Sequence, residues 1–436
     1  MKNKGFTLIE LLGVVILLGI LSLITFPIIL KQIKNAKQGI KESTELLIID
    51  AAKDYYEDNT NDYDLFEGIT YCINVSTLTE NNYLNKRLKD DNLNDIDTTK
   101  QVKMTYHNDR LNYEVTDKCK SNVLARNNIV VPIVTEGKGL YESTTDPGRL
   151  IYRGENPNNY IALKEDGTND TLYRIVSYEP DGTIKVVRND ELSDIKWWDR
   201  STTRINTDNT YCNAETNSCN ACGCNAWGNG SNTLYNGETL GNSFHYIYYD
   251  SPTTTTMTNG TTGTVTSDST LNTYLNDTWL PTSLSNYIDN HSWNVGGVYY
   301  PSSSSDDKGI IKEKEEERQL QWIGKIGLLN ITEFVETSTN PNCVSVRSNY
   351  GSASGYPCKI DNWTRYDELS SEWTLSAFSY FNNQLWCAYN VGGFGACYGD
   401  AGFYLRPAFF LKADIDLTGE GTEANPYKLA GEEWKK

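Results

Sequence analysis

Cys212, Cys219, Cys222 and Cys224 form the tightest thiol cluster in the sequence, spaced seven, three and two residues apart. Four thiolates on one centre can hold zinc. The two-pair spacing of structural zinc sites is missing, however, and the chain holds 10 cysteines, an even set. That count favours an oxidising compartment, where two local disulfides are the expectation for the four. Cys72 with Cys119, Cys343 with Cys358, and Cys387 with Cys397 are the other expected pairs. Trp197, Trp198 and the run Tyr246–Tyr249 offer aromatic faces that stack on pyranose rings, with core burial as the competing reading of each. Asp90–Asp97 has the acidity of a calcium loop but lacks its central glycine and closing glutamate, so a solvated turn is expected. With 3 His and 3 Met, haem, copper and His-zinc chemistry are disfavoured. No Ser/His/Asp set, phosphate loop or GxGxxG pattern stands out, and neither a cofactor nor a resident metal is expected.

The elements that position these groups must come from a long chain. At 436 residues it exceeds one compact domain. Lys and Arg number 39 against 57 Asp and Glu, a net charge of −18, which argues against phosphate-backbone binding; no nucleic-acid partner is expected. Hydrophobic residues at 38% and aromatic residues at 11% are too plentiful for a disordered chain. The 29 Tyr and 10 Trp point to a sheet-rich body.

The N-terminus sets the address. Residues 11–30 carry no charge, a run of roughly 30 Å as a helix and long enough to cross a bilayer. No small-residue cleavage site follows the run, unlike a secretory signal. Glu10 stands at its edge, where a lone carboxylate costs about 2–3 kcal/mol to insert. It either stays among the headgroups or meets a cation in an assembled state. Cleavage after Gly5 would supply that cation as the freed amine of Phe6 on a neighbouring subunit. Lys31, Lys34, Lys37 and Lys41 follow the span against Lys2 and Lys4 before it, a bias that by itself favours the opposite orientation. Beyond the span, Ile33, Ala36, Ile40, Leu47, Ile48, Ala51 and Tyr55 keep helical spacing. One helix of about 75 Å is therefore expected from Phe6 to the region of Tyr56, its stripe packed on a globular head.

Lys4-Gly5-Phe6-Thr7-Leu8-Ile9-Glu10 resembles the processing motif of type IV prepilins and pseudopilins. The resemblance implies a prepilin peptidase that cuts between Gly5 and Phe6 and methylates Phe6, a subunit-pairing role for Glu10, and a helix kink near Pro27. It also implies other pilin subunits as partners, a membrane-inserted precursor and a bacterial surface or extracellular pilus as destination. Because the peptidase works on the cytoplasmic side, the motif overrides the lysine bias in setting orientation.

After the helix, Tyr71–Leu84 reads as a short helix capped by Ser76 or Thr77. Gln101–Tyr106 and Arg110–Val115 read as a hairpin turning at His107–Asp109. Residues 124–148 read as a linker, followed by a hairpin of Thr171–Tyr178 and Thr183–Arg188 around Pro180-Asp181-Gly182. Leu271–Trp279, and on to Tyr287, has helical spacing. Ser376–Ala413 reads as short aromatic strands. Pro252–Thr270 is expected to be a flexible or glycosylated loop, and Ser302–Asp307 with Lys312–Arg318 a solvated charged insertion.

Trp373-Thr-Leu-Ser376 and Tyr404-Leu-Arg406-Pro407-Ala408-Phe409 resemble the closing strands of C-type-lectin-like domains of the formylglycine-enzyme type. The resemblance implies a loop-rich α+β body binding an extracellular glycan or protein ligand. The oxidase of that family needs paired thiols at the closing motif, and Gly402–Arg406 has none, so enzyme activity is not expected.

The expected fold is α+β: a long N-terminal α-helix, membrane-inserted and then amphipathic, packed on a small pilin β-sheet head, followed by a larger C-type-lectin-like domain. The expected segments are a leader at 1–5, the assembly helix at 6–58, the small head at 59–123, the linker at 124–148 and the binding domain at 149–436. The expected function is a minor or tip pilin-like subunit with an adhesive head. The alternatives are a pseudopilin of a secretion or DNA-uptake machine, and a monomeric anchored receptor or enzyme.

Overall fold

The protein is described from a computed structural model, over residues 8–60, 63–65, 67–127, 129–199, 205–206, 225–229, 231–235, 238–239, 247–248, 258–259, 264–265, 267–298, 309–351, 356–365, 369–378 and 384–430. It divides into two compact units, Met1–Ala125 and Arg126–Lys436.

The first unit is built on one helix of 51 residues, Leu8–Asp58. In its apolar first part the described hydroxyls are satisfied within the helix, as suits an apolar environment: Ser22 donates to the Leu18 carbonyl at 2.7 Å and Thr25 to that of Leu21 at 2.8 Å. Pro27 removes one donor from the ladder, yet the helix runs through it. At the far end Asn59 Nδ2 donates to the Tyr55 carbonyl at 2.7 Å and closes the last turn.

Three antiparallel strands in the order Thr70–Asn74, Gln101–His107, Arg110–Thr116 form the head's sheet. Ile73, Val102 and the helix residues Ile48, Ala51 and Ala52 share one core with Val75, Leu78, Leu84 and Ile96. The two adjacent alanines let the helix approach closely without a cavity. The packed stripe is shorter than its sequence pattern: Ile33, Ile40 and Leu47 are 48%, 42% and 50% exposed, because the head's apolar core meets the helix only from Ile48 onward.

The hairpin turns on two residues. His107 pairs with Arg110, and Asn108 and Asp109 both take positive φ, 52° and 58°. That is the primed turn whose twist matches flanking strands. The short helix is Val75–Glu80, entered directly from a strand with Asn74 at its N-cap position. Ser76 and Thr77 therefore sit inside the first turn and cap nothing. The strand begins where the sequence reads as helix because Tyr71 and Ile73 alternate inward, 4% and 3% exposed.

The second unit is β-rich and mixed α+β. Its largest sheet runs Ile326–Gly327, Ala408–Leu411, Ile184–Arg188, Thr171–Tyr178, Leu150–Arg153, Gly139–Glu142, with Tyr160–Leu163 also on Thr171–Tyr178. Every pairing is antiparallel. Gly139–Glu142 thus belongs to the sheet. The 124–148 stretch is no plain linker, since Gly139–Glu142 pairs with Leu150–Arg153. The Pro-Asp-Gly hairpin forms with Gly182 at φ 97° and Asp181 accepting from the Thr183 amide at 3.0 Å. A second, four-stranded sheet orders Gly297–Val298, Glu372–Phe378, Gln384–Ala388 and Phe394–Tyr398. Thr270–Thr273 is α-helical and continues as a π-helical turn over Tyr274–Trp279.

The charged run is not a solvated insertion. Gly309–Arg318 is a helix in which Glu313, Lys314, Glu316 and Glu317 are buried. Lys312 and Glu315, on its other side, are exposed.

Candidate assembly helix and a buried ionic cavity

Gly5 and Phe6 lie outside the described residues. Glu10 falls in the helix's first turn and Pro27 in its interior. From Leu11 to Ser43 every residue of the helix is exposed. The stretch includes a window of mean hydropathy 2.7 with none of it buried. An apolar surface of this length, left bare by its own chain, has two stabilising environments: lipid, or the same surface on other helices.

Among the described residues three disulfides are in place, Cys72–Cys119, Cys343–Cys358 and Cys387–Cys397, with Cα atoms 5.7, 4.8 and 6.0 Å apart. Cys212, Cys219, Cys222 and Cys224 lie outside the described residues. Among the described residues no group of three His, Cys, Asp or Glu is placed to hold a metal ion. The Asp90–Asp97 segment is a hydrogen-bonded turn, with Asp90 Oδ1 accepting from the amides of Asn92 and Asn94, each at 2.8 Å.

The two candidate ligand-stacking tryptophans part company. Trp198 is fully buried, its ring 4.9 Å from Trp227 and 6.0 Å from Trp373, so it is core. Trp197 is 41% exposed on the ribbon it forms with Gly402–Phe403. The closing-motif residues Trp373 and Arg406 are also core. Arg406 Nε meets Glu372 Oε2 at 2.8 Å, and Arg365 Nη1 meets Glu372 Oε1 at 2.7 Å.

Among the described residues of the second unit, a dense cluster of buried charges escaped sequence reading. A cavity of ≈ 270 Å³ is lined by Arg149, Lys185, Lys314, Glu317, Glu333 and Trp293, among others. Lys185 Nζ donates to both oxygens of Glu333, at 2.8 and 2.7 Å, and lies 4.8 Å from the Trp293 ring centre. Arg149 bridges Glu179, Glu333 and Glu336 at 3.0, 2.9 and 3.0 Å. Lys314 reaches Glu336 at 2.7 Å and pairs also with Asp146, which Arg318 joins.

Burial opposes each of these charges, and the neighbours decide which survive. Burial lowers Lys185 against the pull of Glu333. Glu333, equally burdened by burial, is held below its usual range by Lys185 and Arg149. Glu336 is held at about 2 by Lys314 and Arg149 despite its burial. Glu317 is the exception: burial pushes it up to about 7, although hydroxyl donors favour its ionised form. Those donors are Ser376 at 2.5 Å and Thr332. Its helix end presses on Gly296, whose amide donates to the Glu317 carbonyl at 3.0 Å. A Cβ there would lie 2.5 Å from the Glu316 carbonyl oxygen. The one signal in the sequence was the spacing of Glu313, Lys314 and Glu317, which fall on one helix face.

Residues 1–26 match the family described as the prokaryotic N-terminal methylation motif. This supports a type IV pilin- or pseudopilin-like subunit, and with it processing by a prepilin peptidase and assembly with other pilins. No curated protein and no solved structure matches the chain.

Proposed function

We propose that this chain is a minor or tip subunit of a type IV pilin-like fibre, cut after Gly5 and assembled through its N-terminal helix. The observation that carries this reading is the bare helix: Leu11–Ser43 is exposed throughout and directly overlaps the methylation motif of residues 1–26. Neighbouring subunits cover that surface in the fibre, and Glu10 there neutralises the amine of an adjacent Phe6. The second unit runs from Arg126 to Lys436, too bulky to repeat at every position of a tightly packed shaft, which supports a minor or tip place. Its role is recognition of an extracellular glycan or protein through a lectin-like body. Support for that part is the resemblance of its closing strands and the exposed face of Trp197.

The test is the non-reducing intact mass and N-terminal peptide of the protein in a sheared surface fraction. A chain beginning at methylated Phe6 is expected, and Gly5→Leu should leave the leader attached and the protein in the membrane. A wild-type chain that keeps residues 1–5 and never enters the sheared fraction overturns fibre assembly.

A further inference from the structure

The four lysines that follow the apolar run oppose the orientation set by the processing motif, and assembly does not explain them. All four are exposed. Counted from Leu30 at 1.5 Å per residue, Lys31, Lys34, Lys37 and Lys41 stand about 1.5, 6, 10 and 16 Å past the apolar run. A headgroup layer is roughly 5–8 Å deep on each side of a bilayer. The set therefore divides in two. Lys37 and Lys41 lie beyond the layer and are answered within the first unit: Lys37 Nζ donates to Asn92 Oδ1 at 2.8 Å, and Lys41 Nζ is 3.9 Å from Glu45. Lys31 and Lys34 lie inside the layer, on one helix face three residues apart. Among the described residues neither has a recorded ion pair or hydrogen bond.

We propose that Lys31 and Lys34 form a docking site for the phosphate groups of anionic phospholipids in the leaflet where the span ends. Two exposed, flexible ammonium groups at headgroup depth are complementary in charge to lipid phosphates. The chain as a whole is acidic, at −18. Acidic groups more than about 8–10 Å from the lipid are screened, so the pair sets the local charge at the headgroups. It fixes the depth of the unassembled subunit and holds it in anionic lipid until a fibre takes it up. This inference rests on the membrane reading of the helix.

The full-length chain is placed in nanodiscs of equal phosphatidylglycerol and phosphatidylcholine, and the lipids it retains are counted by native mass spectrometry. Retention of phosphatidylglycerol should exceed that of phosphatidylcholine by at least about fivefold, the effect of one lysine near an anionic surface. Lys31→Gln with Lys34→Gln should bring the ratio close to one, while Lys37→Gln with Lys41→Gln leaves it unchanged. A wild-type ratio near one, or equal losses from both double variants, overturns the proposal. Flotation with vesicles of the same lipids reports insertion separately. A chain that floats without lipid preference removes only the docking site, whereas a chain that does not float removes the membrane reading as well.

Discussion

The ammonium of Lys185 lies within 2.8 Å of both carboxylate oxygens of Glu333, with each side chain about 5% exposed or less. Both side chains are buried, so each charge depends on the other; Arg149 also supports the Glu333 carboxylate but works against the Lys185 ammonium. Lys185→Met should destabilise the second unit by about 3–5 kcal/mol, the cost of leaving a buried carboxylate short of a partner. Lys185→Met combined with Glu333→Gln should cost less than the sum of the two single changes. Urea unfolding of the four proteins in a double-mutant cycle measures the difference.

Glu317 makes the second unit sensitive to pH. Its carboxyl is raised from about 4.5 in the unfolded chain to about 7 in the fold. The fold therefore binds a proton that the unfolded chain releases, and stability is lost as pH rises from about 4.5 to 7. The loss is about 3 kcal/mol in order of magnitude. Lys314 lowers and Glu333 raises the carboxyl, and Thr332 and Ser376 complete its surroundings. Glu336, held at about 2, works the other way: its contribution is present above about 4.5 and disappears as pH falls towards 2. Glu317→Gln should flatten the fall in stability between pH 5 and pH 8 and leave the acid limb in place. Thermal unfolding across that range checks it, and an unchanged slope would refute the assignment.

Cys72 and Cys119, 47 residues apart in sequence, tie the edge strand of the first unit to the segment beyond its hairpin. Replacing both with serine should cost about 3–4 kcal/mol through the freed unfolded chain. The effect belongs to the first unit, so hydrogen exchange should rise in Thr70–Asn74 and Gln101–His107 and stay unchanged in the second unit's sheets.

Asp109 holds φ at 58° in the two-residue turn. Asp109→Gly relieves that conformation and should stabilise the first unit by about 0.5–1 kcal/mol, less what is lost with the 3.1 Å contact from Tyr106 OH. A denaturant midpoint that falls would show that the side-chain contact outweighs the backbone term.

What the sequence displays are features whose cause is local. A charge-free run, a seven-residue processing motif and a Pro-Asp-Gly turn are each complete within a few residues. Burial of Glu313, Lys314 and Glu317 has no such local cause. It depends on Val346, whose amide donates to Glu313 Oε2 at 2.9 Å, and on Asp146, Thr332, Glu336 and Ser376, most of them far away in sequence. Seen alone, Lys312–Arg318 is a solvated helix by every pattern rule. Ser76 and Thr77 misled for a related reason, because the chain passes from strand to helix at Asn74 with no free turn to cap. The overextended stripe at Ile33, Ile40 and Leu47 shows the converse: helical periodicity tells that a face is apolar, not what meets it.

The three bridges have a consequence for how the molecule comes apart. Cys72 and Cys119 are the whole thiol complement of Met1–Ala125 and are joined to each other. None is left to bond with the second unit, where Cys343–Cys358 and Cys387–Cys397 are closed locally. The backbone around Ala125–Arg126 is then the sole covalent tether between anchor and head within one chain. The first unit can complete its own cross-link without waiting for the second. A single peptide-bond cut at that boundary severs the covalent link and leaves the Cys72–Cys119, Cys343–Cys358 and Cys387–Cys397 bridges intact, so covalent separation needs a protease and no reductant.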